Sequence, residues 1–124
     1  MLERLLDSVI LIDHLNRITA ATDYISGLKT QATSISVITR AEILTGTDDS
    51  KKSIVKSLLD QFSTLNIDIL IADKAAELRR EYNWKLPDAF QAALAIHHKI
   101  KLVTRNTKDF NPAKHLFVEI PYKV

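Results

Sequence analysis

The chain has 124 residues, 46% of them apolar and 26% charged, which excludes a disordered polypeptide and fits one domain, residues 1–124, with one core. It contains no cysteine, which excludes disulfides and thiolate metal sites and is compatible with a reducing, cytoplasmic setting. The net charge of +2 is too small to mark a partner, and neither a membrane span nor a signal peptide is expected: no apolar run approaches the ~20 residues of a membrane helix, and the start lacks a basic lead and a cleavage site.

Two glycines and three prolines leave few breaks, so helices dominate the expectation. Residues 3–7 read as a short buried strand. Residues 9–16 and 19–29 read as helices, the second amphipathic through Ala20, Tyr24, Ile25 and Leu28. "TSIS" (33–36) is a short strand. "VITRAEILTG" (37–46) is a helix with Val37, Ala41 and Leu44 on one stripe and Gly46 as its stop. Asp48, Asp49 and Ser50 offer a cap to a helix over 51–64. "IDIL" (67–70) reads as a strand and 73–82 as a polar-faced helix. Residues 86–98 form an Ala-rich helix with Pro87 in its first turn. Strands over 101–104 and 117–120 follow, joined by a loop.

Short apolar strands alternating with helices predict a mostly parallel sheet flanked by helices. In such sheets ligands bind outside the carboxyl ends of the strands. Asp7 lies at the end of the first strand, in "LLDSVILID", and Thr104, Arg105 and Asn106 lie at the end of the fourth.

Each polar residue has an ordinary reading. Asp7 suits a helix cap. Glu42, at the edge of its helix stripe, suits solvent. Asp88 complements the dipole of the helix it opens, yet that helix is apolar nearly all round, so its carboxylate is expected to be partly buried. Asn106 and Asp109 in "TRNTKDF" are common turn formers. Together they point elsewhere. Two carboxylates ~4 Å apart repel by ~4 kcal/mol at an effective dielectric near 20, so a cluster of them calls for a cation. Oxygen ligands suit Mg²⁺ or Mn²⁺.

These residues resemble a known family. "LLDSVILID" is similar to the opening motif of PIN domains: strand, Asp, hydroxyl residue, apolar run, acidic residue. "SVITRAEILTG" resembles the second motif, "LPDAFQAALAI" the third and "LVTRNTKDF" the fourth, in order and over nearly the whole chain. The length resembles that of VapC-type toxin ribonucleases. The resemblance implies a three-layer α/β/α sandwich with a short mostly parallel central sheet. It also implies an Mg²⁺- or Mn²⁺-dependent endoribonuclease, the toxin of a toxin–antitoxin pair, with transfer RNA among the expected substrates. Asp7, Glu42 and Asp88 fall on its acidic positions. Asp7 and Asp88 are expected to hold the metal directly, and Glu42 to act through water. Asn106 stands where many members have Asp; Asp109, one helical turn on, is the alternative or auxiliary metal ligand. Ser8, Ser36 and Thr104 are expected to support the acids.

For RNA, Arg40, Lys85, Arg105 and Lys108 offer a basic rim, with Lys99 and Lys101 near by. Trp84, Phe90 and Phe110 read as packing residues. His97 and His98 point ~100° apart on a helix and read as structural. Expected partners are RNA, a cognate antitoxin presenting Arg or Lys to the acids, and a second copy in a homodimer, using apolar positions around 9–28 and 37–44. Two rivals remain. A phosphoaccepting receiver domain lacks a suitable Asp, since Asp68 reads as internal to a strand. A non-catalytic RNA- or protein-binding module has no need of all three acids.

Overall fold

The computed structural model describes all residues, 1–124. Its centre is a five-stranded sheet in the order β3-β2-β1-β4-β5, with every pairing parallel. The strands are β1 (Arg4–Leu6), β2 (Thr33–Ser36), β3 (Ser63–Leu65), β4 (Lys101–Val103) and β5 (Val118–Glu119). Six helices connect them: α1 (Ser8–Leu15), α2 (Thr19–Ser26), α3 (Val37–Thr45), α4 (Lys52–Leu59), α5 (Ile69–Tyr82) and α6 (Leu86–His98). The expected α/β/α layering is therefore present, with the sheet wholly rather than mostly parallel.

The layering follows from the alternation of side chains along each strand. Leu5 faces one side and Leu6 the other, and Leu102 and Val103 repeat this on β4. The apolar interior is accordingly two clusters, not the single core expected from length. One joins Leu5, Leu102 and Leu65 to α5 and α6, including Ala92, Ala93 and Leu94. The other joins Leu6, Val103 and Ile35 to α1, α3 and α4 through Ile10, Ile43 and Leu59. β2 is polar yet fully buried, because its hydroxyls find partners: Thr33 Oγ1 donates to the Lys29 carbonyl (2.8 Å) and Ser34 Oγ to the Arg4 carbonyl (2.8 Å).

Three expectations are corrected. Residues 67–70 are not a strand. Asp68 Oδ1 accepts the Ile71 N–H (3.0 Å) and caps α5, which starts at Ile69; the strand lies earlier, at Ser63–Leu65. Asp68 is thus no strand residue, and its role as a cap still leaves a receiver domain without its acceptor. The helix expected over 51–64 is a 3-10 turn, Asp49–Lys51, followed by α4, which ends at Leu59; Asp48 makes no side-chain cap bond. On α3 the inward face is Thr39 and Ile43, four apart, while Ala41 is exposed. The expected Val37–Ala41–Leu44 stripe is therefore not the buried one. No helix is long and apolar enough to cross a membrane.

From β1 the chain order runs outward to β2 and β3 on one side, and to β4 and β5 on the other. The carboxyl ends of β1 and β4 thus lie at the topological switch point, where open parallel sheets leave a crevice.

Candidate active site

Asp7 and Thr104 are the residues that follow β1 and β4. The Asp7 N–H still pairs with the Val103 carbonyl (2.9 Å), so the two chain ends leave the sheet side by side. Thr104 Oγ1 donates to Asp7 Oδ2 (2.8 Å). Asp7 Oδ1 accepts the Ser8 N–H (2.9 Å), capping α1, and the Gln91 Nε2–H (3.2 Å) from α6. Asp7 thus caps a helix, as its ordinary reading expected, and also faces the crevice. Three donors keep this buried carboxylate solvated by protein, and they leave about one of its four acceptor positions open.

The crevice is a cavity of about 300 Å³ lined by Asp7, Ser8, Val9, Glu42, Pro87, Asp88, Gln91, Arg105 and Asn106. Four separate parts of the chain meet in it. Glu42 comes from α3, and Ser8 Oγ donates to its Oε1 (3.0 Å). Asp88 comes from the first turn of α6, which Pro87 opens. Asn106 comes from the loop after β4, where Thr104 Oγ1 accepts its N–H (3.1 Å).

A supporting network runs behind Asp7. Gln91, 2% exposed, spends both amide hydrogens, one on Asp7 and one on Thr39 Oγ1 (2.8 Å). Ser36 caps α3 by accepting the Thr39 N–H (3.0 Å) and donates to Thr39 Oγ1 (3.3 Å). Ser36 therefore reaches Asp7 only through Thr39 and Gln91. Gln91 Oε1 is buried without a partner. Turning the amide over would set that oxygen against the Asp7 carboxylate, so the orphan is the better arrangement. Gln91 and Thr39 were not anticipated from sequence, although Gln91 lies three residues after Asp88 on the same helix face.

The electrostatics of the cavity are unbalanced. The pKa of Asp88 is raised to about 6, first by burial and then by the charges of Asp7, Asp109 and Glu42, with Lys85 opposing. The one cation lining the cavity is Arg105, and it is engaged elsewhere. Its Nε and Nη2 donate to Asp13 Oδ2 and Oδ1 (2.6 and 2.9 Å), and Tyr122 donates to the same carboxylate (2.9 Å). Asp13 is held below the usual carboxylate range, chiefly by the Arg105 bond. Asp7, Glu42 and Asp88 thus face the cavity without a cation of their own.

These acids couple but do not chelate: no group of three or more Asp, Glu or His side chains is drawn together tightly enough to hold an ion unaided. An ion held here would draw on one or two of these carboxylates and on water for its remaining ligands. The donor set is all oxygen, as a hard cation requires.

Asn106, not Asp109, lines this cavity. Asp109 stands behind it, its Oδ2 accepting the Asn106 Nδ2–H (3.1 Å). Of the basic residues, Lys85 is exposed at the start of α6, and Lys108 is exposed on the neighbouring loop. Arg40 is outside the cavity and pairs with Asp60 (2.8 Å). Trp84 and Phe110 are buried in the core and Phe90 packs against it. His97 and His98 are exposed on the last turn of α6, at the opposite end of the helix from Asp88.

The sequence and the fold both have known relatives. Residues 4–115 match the family model described as the PIN domain. The chain is 32% identical over 112 residues to ribonuclease VapC10 of Mycobacterium tuberculosis, covering 86% of this chain and 84% of the relative. It superposes on a chain of a toxin-antitoxin complex from Klebsiella pneumoniae with a TM-score of 0.90 and 36% identity, over 98% of this chain and 100% of that one. The fold is shared with DNA-bound VapBC from Salmonella typhimurium (TM-score 0.79, 22% identity, 96% and 98% covered). The chain belongs to the PIN-domain family, among the VapC-type toxin ribonucleases.

Proposed function

We propose that this chain hydrolyses phosphodiester bonds in RNA with the help of Mg²⁺ or Mn²⁺, as the toxin of a pair that an antitoxin silences. The observation that carries the reading is the set of carboxylates, Asp7, Glu42 and Asp88, around one cavity whose only lining cation is already paired with Asp13. Such an arrangement costs stability unless something positive enters. When bound, the dication acidifies a water and neutralises charge on the scissile phosphate.

The chain's own residues do the rest. Asp7, fixed by Ser8, Gln91 and Thr104, offers one free acceptor position to the ion, and Asp88 a second ligand. Glu42, held by Ser8, orients the attacking water by accepting its hydrogen. Asn106 fills the fourth position as a neutral amide, with Asp109 behind it. That favours one tightly held metal over two. Arg105, kept rigid by Asp13 and Tyr122, lines the cavity with donors to spare for a phosphate oxygen. Lys85 and Lys108 extend the basic rim, and Arg40 joins only by giving up Asp60.

The toxin-antitoxin complex that contains a 36% identical chain supports an antitoxin partner here; an Arg or Lys presented by that partner would neutralise the three acids. Ile12 and Leu15 on α1, each exposed, supply apolar area for that partner or for a second copy in a homodimer. Transfer RNA is among the expected substrates, in a cytoplasmic setting.

Cleavage of RNA by the parent chain in Mg²⁺, and its loss in EDTA, is the test. RNA cut equally well in EDTA contradicts the proposal. A narrower expectation concerns the network behind Asp7. Gln91→Leu leaves the chain folded and weakens Mg²⁺ binding by ~10–100-fold, because the carboxylate loses one of its three holds. A calorimetric titration reads this, and unchanged affinity rules out a supporting role for the amide.

A further inference from the structure

A second groove of about 340 Å³ adjoins the acidic cavity. Its walls include Tyr82, Trp84, His115, Lys108, Lys114 and Asp109. The two spaces share one partition: Asn106 lines the cavity, Asp109 lines the groove, and the Asn106 amide donates to the Asp109 carboxylate (3.1 Å).

The groove holds a built aromatic stack. The Tyr82 and Trp84 rings lie 4.5 Å apart at 19°. Trp84 is 3% exposed, backed by Phe110 at 4.8 Å and fixed by its Nε1–H on the Asp109 carbonyl (3.0 Å). His115 meets both rings edge-on, 5.0 Å from Tyr82 and 5.1 Å from Trp84. Those three distances make a near-regular triangle, so His115 flanks the stack instead of covering it. Tyr82, at the outer end, is 43% exposed. One ring face rests on Trp84, so the ring's exposure comes from its other face and its edges. Lys108 and Lys114, which also line the groove, are exposed and form no ion pair.

We propose that this groove is a nucleotide subsite for single-stranded RNA, with a base stacked on the face of Tyr82 away from Trp84 and backbone phosphates against Lys108 and Lys114. The inference rests on the RNA-cleaving reading above and says where the strand goes beyond the cut. An aromatic face accepts any base, and a ring already locked against a buried tryptophan loses little freedom on stacking. Two unpaired lysines match a polyanion and balance the acids beside them. A duplex presents no free base face, so the subsite selects unpaired segments.

The test is fluorescence anisotropy of a labelled ten-nucleotide single-stranded RNA with the parent chain in EDTA, where the strand is not expected to be cut. Tyr82→Ala is expected to weaken binding about tenfold and Tyr82→Phe to bind as the parent does. Lys108→Ala with Lys114→Ala lowers the slope of log Kd against log salt by roughly 1.4, the contribution of two phosphate contacts. Parent-like binding by Tyr82→Ala overturns the proposal, and so does an unchanged salt slope in the lysine pair, which decides the matter alone if Tyr82→Ala fails to fold. If Mg²⁺-dependent cleavage holds but neither variant affects binding, the subsite falls and the nuclease stands. If binding depends on Tyr82 but RNA is never cut, the subsite stands and the nuclease reading falls.

Discussion

Asp7→Asn is expected to reduce RNA cleavage by at least ~10²-fold, the scale seen when one electrostatic stabiliser is lost from an active site, while leaving the fold nearly as stable as before. The two halves of that result separate the two duties of this residue. As a cap on α1, Asp7 accepts the Ser8 N–H, and asparagine caps as well as aspartate does. As a ligand it supplies a charge, which asparagine lacks. Gln91 and Thr104 hold either side chain in the same place, since the hydroxyl can turn to accept from an amide. Asp7→Ala, by contrast, loses the cap as well and costs about 1 kcal/mol of stability besides. Cleavage assays and melting curves on the two variants read both effects. Full activity in folded Asp7→Asn contradicts the role of the charge.

Asp88→Asn is expected to act in opposite directions with and without metal. In the metal-free chain the pKa of Asp88 is about 6, above the ordinary carboxylate value because of burial and the neighbouring acids. The folded state therefore binds a proton more readily than the unfolded chain between the two pKa values. Stability from this group falls as pH rises from about 4 to about 6 and stays reduced above that. At neutral pH the ionised carboxylate is a net cost. A two-unit shift is at most ~2.7 kcal/mol, and solvent screening of a half-buried group brings it to about 1 kcal/mol. Asp88→Asn removes that cost, so its melting temperature at pH 7 rises above the parent's and its stability curve loses the decline between pH 4 and 6. Adding Mg²⁺ reverses the order. An ion at a hundred times its Kd stabilises the parent by ~2.7 kcal/mol, and the variant, lacking a ligand, gains far less. An apo variant less stable than the parent, or equal Mg²⁺ responses, contradicts the assignment of Asp88 to an uncompensated acidic cluster.

The parts of the molecule that could be read in advance are those whose signals are local. A lone acid between apolar runs marked Asp7, and an Ala-rich helix opening on Pro87 marked Asp88. Both stand at the carboxyl edge of the sheet, where a parallel fold places ligands. The failures are also local, but ambiguous. Ile67-Asp68-Ile69-Leu70 alternates as a strand does, yet Ile69 and Leu70 are 79% and 65% exposed because Asp68 captures a backbone N–H and starts a helix. Residues 60–62 leave α4 without glycine or proline, so nothing in composition marked that stop. Ser63 and Thr64 are exposed on the outermost strand, where polar residues cost little.

The pairings that define the site's electrostatics were beyond reach for another reason. Asp13 and Arg105 are 92 positions apart, and Gln91 and Asp7 are 84 apart. Only the closed fold brings such partners together. Arg105 therefore read as a free basic residue, although it is tied to Asp13, and Gln91 passed as one polar residue in an apolar helix. The Asn106–Asp109 ambiguity had no sequence answer either. In the fold Asn106 lines the cavity and Asp109 stands behind it.

Asp7 and Asp88 are proposed to hold one divalent cation directly, with Glu42 reaching it through water. Calorimetric titration of Mn²⁺ into the parent and into Asp7→Asn, Glu42→Gln and Asp88→Asn tests this central claim most directly. The account predicts one saturable binding event in the parent, weakened at least ~10-fold by each of the three changes. No binding to the folded parent, or the same affinity in all four proteins, would contradict it.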